Sequence, residues 1–178
     1  SKKALAAYKK ASLPRSYWDW GEHIDSNSAG AFPYTPATNL LFGLNEAILM
    51  LKEEGLDNVF KRHKRYAEAT RLAVQTWGLE VLCENEDDFS NTLTAVLLPD
   101  GHNADEFRSI VLDNFNMSLG NGLSRLAGKV FRIGHLGDFN DLMLVATLGG
   151  IEMGLSRSSI PHQIGGTQAA MQFLKQGT

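Results

Sequence analysis

The period of the apolar residues changes at Gly78, and that change limits the fold more than any other feature of the chain. Between residues 37 and 77 apolar side chains recur every three to four positions. Beyond Gly78 they fall in short runs punctuated by Gly, Pro and Asn. The first pattern predicts two helices, over 37–54 and over 57–77. Leu40, Leu41, Leu44, Ile48 and Leu51 share one side of the first, and Gly55 closes it. Asp57 or Asn58 caps the second, which turns Val59, Phe60, Tyr66, Ala69, Leu72 and Ala73 inward and stops at Gly78.

The second pattern predicts strands over 79–83 and 91–98, a helix over 103–114 capped by Asn103, strands over 117–119 and 129–134, a helix over 139–153 capped by Asp138, and a terminal helix over 166–176. This order predicts an α+β domain, with helices packed on one face of a small, mainly antiparallel sheet. An arm precedes it: a short helix over 4–11 stopped by Leu13-Pro14, the aromatic cluster Tyr17-Trp18-Asp19-Trp20 of a kind often buried, and a loop over 25–36. Pro33 and Pro36 bar a regular helix in that loop.

Composition removes several function classes. Seventeen Lys and Arg against 20 Asp and Glu leave a net charge of −3, so no overall basic field exists to hold nucleic acid or an anionic membrane. The single cysteine, Cys83, has no partner for an intrachain bridge, which fits a cytoplasmic protein. Cys83 itself reads as a half-buried structural thiol. The five histidines are dispersed, so no metal site is expected. Lys61-Arg62-His63-Lys64-Arg65 lies inside a helix, where consecutive residues point different ways, and is expected to form a solvated face. The chain opens on Ser1-Lys2-Lys3 without Met, directly into a helical pattern, and is expected to be a piece of a longer protein.

Two local features concern chemistry. Gly120-Asn121-Gly122 is a poor phosphate cradle, because a strand rather than a helix follows it; a turn needing positive φ accounts for it better. Arg132 stands alone among the apolar residues of Val130-Phe131-Arg132-Ile133, just before Gly134. A guanidinium there needs a partner, either an internal carboxylate or the carboxylate or phosphate of a ligand.

Phe32-Pro33-Tyr34-Thr35-Pro36-Ala37 leads into Asn39-Leu40-Leu41-Phe42-Gly43-Leu44-Asn45-Glu46-Ala47. Further on, after the Gly120-Asn121-Gly122-Leu123 turn, stands Gly128-Lys129-Val130-Phe131-Arg132-Ile133-Gly134-His135-Leu136-Gly137. In that order and at that distance these segments resemble the class V pyridoxal-phosphate aminotransferases, and within them the serine/alanine-glyoxylate aminotransferase branch. The resemblance covers essentially the whole chain. It implies the C-terminal part of such an enzyme, with the end of the large domain and an interface loop over 1–36, a connecting helix over 37–55 and the small domain over 56–178. It further implies a homodimeric parent that moves an amino group from serine or alanine to a 2-oxo acid such as glyoxylate, with pyridoxal 5'-phosphate as cofactor.

By that resemblance Thr35 reaches the cofactor phosphate of the neighbouring subunit, and Arg132 receives the substrate α-carboxylate. Phe32 stands where some members carry a phosphate-contacting Tyr, and Tyr34 is the candidate to compensate. The family's Schiff-base lysine, its aspartate on the pyridine nitrogen and its ring-stacking aromatic lie upstream of the segment matching Ser1. The isolated chain is therefore expected to be inactive and not to bind the cofactor covalently. Two other readings stay open at this point. One is a non-catalytic interaction domain that kept the fold; the other is a lyase or desulfurase of the same fold type, which Cys83 in its strand context fits less well.

Overall fold

A computed structural model describes residues 1–176. It contains two compact units, Ser1–Glu53 and Glu54–Thr178.

In the first unit α1 (Lys2–Tyr8) is followed by α2 (Trp20–Ser28) and most of α3 (Thr38–Glu54). Asp19 begins α2 by accepting from the Gly21 and Glu22 amides, and the Tyr8 hydroxyl donates to the same carboxylate at 2.6 Å. With that cap the helix runs to Ser28, so the expected loop over 25–36 is shorter by four residues at its start. No residue of this unit is buried. The aromatic cluster expected to be buried is instead open: Tyr17 packs on Trp18, His23 and Tyr34, while Trp18 keeps 76% of its surface. The Leu40, Leu41, Leu44, Ile48 and Leu51 side of α3 is likewise exposed.

The second unit holds the core. After Gly55, whose φ of +82° only glycine adopts readily, α4 (Leu56–Thr76) begins without a side-chain cap, so neither Asp57 nor Asn58 performs that role. Then come β1 (Glu80–Val81), β2 (Leu93–Leu97), α5 (Ala104–Phe115), β3 (Gly120–Asn121), β4 (Val130–Gly134), α6 (Asp141–Arg157) and α7 (Gly166–Lys175). The sheet order is β1-β2-β4-β3 and every pairing is antiparallel, as the α+β expectation requires.

One sheet face carries the core. Val96, Phe131 and Ile133 meet Tyr66, Ala73 and Trp77 from α4 and its end, Phe107 and Val111 from α5, Leu144, Leu148 and Ile151 from α6, and Ala170 from α7. The Phe107 and Phe131 ring centroids are 4.9 Å apart. Truncating either ring to Ala should cost about 3 to 5 kcal/mol. On α4, Val59, Tyr66, Ala69 and Ala73 are buried as the spacing predicts, but Phe60 keeps 62% of its surface. Strand period places Leu93, Ala95 and Leu97 of β2 and Arg132 of β4 on the opposite face.

Several boundaries differ from the sequence reading: the first strands are shorter than expected, and α6 runs on to Arg157. The strand expected over 117–119 is displaced to Gly120–Asn121, and α6 starts at Asp141 under an Asn140 cap rather than at 139 under Asp138. Asn103 caps α5 as expected. Among the described residues no helix is long and apolar enough to cross a membrane, and no cluster of three or more His, Cys, Asp and Glu is placed to hold a metal.

Candidate functional site around Arg132

Arg132 is the central residue of β4, flanked in register by Ala95 of β2 and Gly120 of β3. Both flanking residues are small, and only their smallness leaves the guanidinium room on the sheet face. A Cβ at residue 120 would stand 3.0 Å from the Arg132 Cβ and 3.1 Å from its Nε. Gly120 is thus present for a close approach, not for positive φ. Gly122 likewise lies against the Leu126 carbonyl, so the turn geometry expected of these glycines is not their role.

The partner that the buried Nε of Arg132 requires is not found among the described residues. Arg132 takes part in none of the ion pairs among the described residues. Its Nε is buried and has no hydrogen-bond partner. A buried donor left unmade costs about 1 to 3 kcal/mol, more when charged, so a planar anion that accepts from Nε and one terminal nitrogen recovers that loss. Internal carboxylate pairing, the other role open to this residue from sequence, is not found among the described residues.

The basic run of α4 is not a solvated face. Arg62 grips Glu54 through Nε (2.6 Å) and Nη2 (2.7 Å), and its Nη1 donates to the carbonyls of Gly137 (2.9 Å) and Phe139 (3.3 Å). His63 is buried, with Nδ1 2.7 Å from the Val59 carbonyl and Nε2 accepting from the Gly137 amide at 3.1 Å. Arg65 holds both oxygens of Asp141, at 2.7 and 2.9 Å. The paired guanidinium holds each of Glu54 and Asp141 below the usual carboxylate range. Lys61 and Lys64 are the exposed members of the run, Lys64 with its Nζ 3.8 Å from Glu68.

His135, just past β4, is fully buried, and burial pushes its pKa down to about 4; its Nε2 is 2.9 Å from the Thr94 hydroxyl. Sequence reasoning gave neither this pair nor the Gly120 cradle any role. The signal for the cradle is a strand register, which residue types alone do not reveal.

Thr35 and Tyr34 belong to the first unit. Thr35 is exposed between Pro33 and Pro36. The Tyr34 hydroxyl donates to Glu22 at 2.9 Å and lies 3.3 Å from the Ser16 hydroxyl. Cys83 is half-buried and its thiol donates to the Asn85 carbonyl at 3.4 Å.

No family model matches the chain. Curated relatives do. The chain is 43% identical over 182 aligned positions to the serine–glyoxylate aminotransferase of Methylorubrum extorquens, an alignment covering 99% of this chain and 45% of that protein. It is 37% identical to the L-aspartate–glyoxylate aminotransferase of Paracoccus denitrificans, over 100% of this chain and 45% of that protein. Among solved structures, the ureidoglycine–glyoxylate aminotransferase of Bacillus subtilis superposes with a TM-score of 0.87 at 26% identity, over 97% of this chain and 45% of the other. The chain therefore spans a little under half the length of the relatives it matches. With near-complete coverage of its own length in both sequence and fold, it belongs to the class V pyridoxal-phosphate aminotransferases.

Proposed function

We propose that this chain is the C-terminal part of a pyridoxal-phosphate-dependent aminotransferase that moves an amino group from a small amino acid such as serine or alanine to a 2-oxo acid such as glyoxylate. One observation carries the reading: the buried, unpartnered Arg132 Nε on the sheet face between Ala95 and Gly120. Donor and acceptor of such a reaction share only a carboxylate beside the reacting carbon. A single rigid guanidinium therefore serves both half-reactions, receiving the two oxygens in parallel and fixing the carbon's orientation.

The cofactor-directed residues fit to different degrees. The exposed Thr35 hydroxyl, held between two prolines, suits donation to a phosphate oxygen of a neighbouring subunit in a homodimer. Tyr34 fits less well, because its hydroxyl proton already serves the Glu22 carboxylate, and a phosphate there would bring a second anion beside Glu22. When bound, pyridoxal phosphate supplies the electron sink for the amino-group transfer. The lysine that the family uses as base belongs to the remainder of the parent. In that parent residues 1–36 end the large domain, 37–55 connect, and 56–178 form the small domain.

The test is Arg132→Ala in the full-length protein. Each hydrogen bond to a charged group contributes about 1.5 to 3 kcal/mol, so losing two should lower kcat/KM by roughly a hundredfold or more for donor and acceptor alike. The cofactor absorbance should stay unchanged, and Arg132→Lys should rescue little. Full activity per folded, cofactor-loaded site in Arg132→Ala would sink the proposal and favour a structural role for the arginine.

A further inference from the structure

Strand β4 ends at Gly134, and six residues separate it from the start of α6. The sheet holds only the first of them: the His135 amide donates to the Thr92 carbonyl at 3.0 Å. The middle of the loop is held from α4. The Gly137 amide donates to His63 Nε2, and the carbonyls of Gly137 and Phe139 accept from the single Nη1 of Arg62. The Phe139 ring packs edge-on against Tyr66, one turn further along α4, at 5.9 Å. Arg65 then closes the loop on Asp141.

Like Arg65, which holds Asp141 and also donates to the Leu174 carbonyl, Arg62 carries two loads. One edge of its guanidinium carries the loop; the other forks onto the carboxylate of Glu54, the last residue of α3. Gly55, at φ +82°, stands between Glu54 and α4. A guanidinium is planar and rigid, and a shift of the Glu54 carboxylate turns Nη1 with it. The carbonyl of Gly137 moves in turn, five residues beyond Arg132 on the same segment. His63 cannot replace this link, because its ring is already committed at both nitrogens, to Val59 and to Gly137.

We propose that Arg62, held by Glu54, is a positioning residue for Arg132: it joins the end of α3 to the loop leaving β4 and so sets the strand geometry in which Arg132 receives the substrate carboxylate. The inference rests on the carboxylate-binding role given to Arg132 above.

The experiment uses the full-length, cofactor-loaded protein and four variants: Arg62→Met, Glu54→Gln, Arg132→Ala, and Arg62→Met combined with Arg132→Ala. Arg62→Met and Glu54→Gln should each raise KM for both amino donor and 2-oxo acceptor by roughly tenfold, the scale of a sub-ångström misplacement, with kcat and cofactor absorbance little changed. In the Arg132→Ala background Arg62→Met should add no further loss, because the residue through which it acts is gone. Glu54→Gln leaves the Arg62 side chain in place, so it carries the test if Arg62→Met does not fold. Unchanged KM in both single variants, or losses that simply add in the double variant, would overturn the positioning role. An Arg132→Ala protein with normal KM would instead overturn the function on which it rests.

Discussion

Replacing Glu152 with Gln should destabilise the second unit by about 2 kcal/mol and abolish part of its acid sensitivity. Glu152 lies on α6, and its carboxylate spans three donors outside its own helix: the Gly165 amide, the Thr167 amide at 2.8 Å and the Trp77 indole nitrogen at 3.1 Å. Gly165 has no side chain to cap α7, so a residue of another helix does so. Burial alone would raise the Glu152 pKa, but the hydrogen bonds outweigh it and bring the value down to about 2. The Thr167 hydroxyl, though close, makes no hydrogen bond of its own.

Set against the ordinary 4.5, that depression corresponds to roughly 3 kcal/mol, reduced to about 2 kcal/mol because the carboxylate is not fully buried. The sign follows from the direction of the shift. A carboxyl whose folded value is depressed contributes in full above its unfolded value, and the contribution is lost as pH falls from 4.5 towards 2. The glutamine keeps one oxygen acceptor and turns an NH2 group towards the remaining donors. Urea denaturation at pH 7 should show a lower midpoint with an unchanged m-value, and thermal scans a Tm lower by roughly 5 to 10 °C. The gap between the two proteins should then narrow below pH 4. A variant within about 0.5 kcal/mol of wild type, the scatter of surface substitutions, would refute the capping argument.

Gly120→Ala should raise KM for carboxylate substrates severalfold and lower Tm, because the added methyl would stand 3.1 Å from the Arg132 Nε, which can swing away, and 3.0 Å from its Cβ, which the backbone fixes; steady-state kinetics with a melting curve check it. His135 should titrate near 4 in the folded protein, since its buried ring resists charging. Its folded pKa lies below the unfolded value of 6.5, so its contribution is full above 6.5 and lost as pH falls towards 4. His135→Phe should accordingly remove about one proton from the slope of stability against pH in that window, read from denaturation midpoints.

Arg132 was legible in the sequence because it is a lone charge in an apolar strand, a placement that demands a partner whatever the fold. What the sequence withheld was the identity of its neighbours. Ala95 and Gly120 are 37 and 12 residues away along the chain and meet Arg132 only through the register of a sheet whose β3 has just two residues. A strand that short has no alternation to read. The α3 stripe shows what such a period leaves open: the helix and its apolar side are there, but Leu40, Leu41 and Leu44 have nothing within their own unit large enough to cover them. Periodicity reports which side of a helix is apolar, and burial depends on what stands opposite.

The error in the basic run and the error at the start of α6 have one cause. Taken as five consecutive charges, residues 61–65 point all round the helix. Taken at spacings of three and four, His63 continues the buried line from Val59 to Tyr66 and Thr70, with Arg62 and Arg65 at its borders. Border arginines bury their stems and present their forks to whatever lies beside the helix. Here that is a stretch of backbone with no sheet partner. Asp138 is a good cap by residue type, but a helix started there would put the Phe139 carbonyl into its own first turn. Delaying the cap to Asn140 leaves that carbonyl free for Arg62, and places Asp141 in the first turn within reach of Arg65. The late helix start and the half-buried arginines of α4 thus explain each other, and the two meet on the segment that carries Arg132.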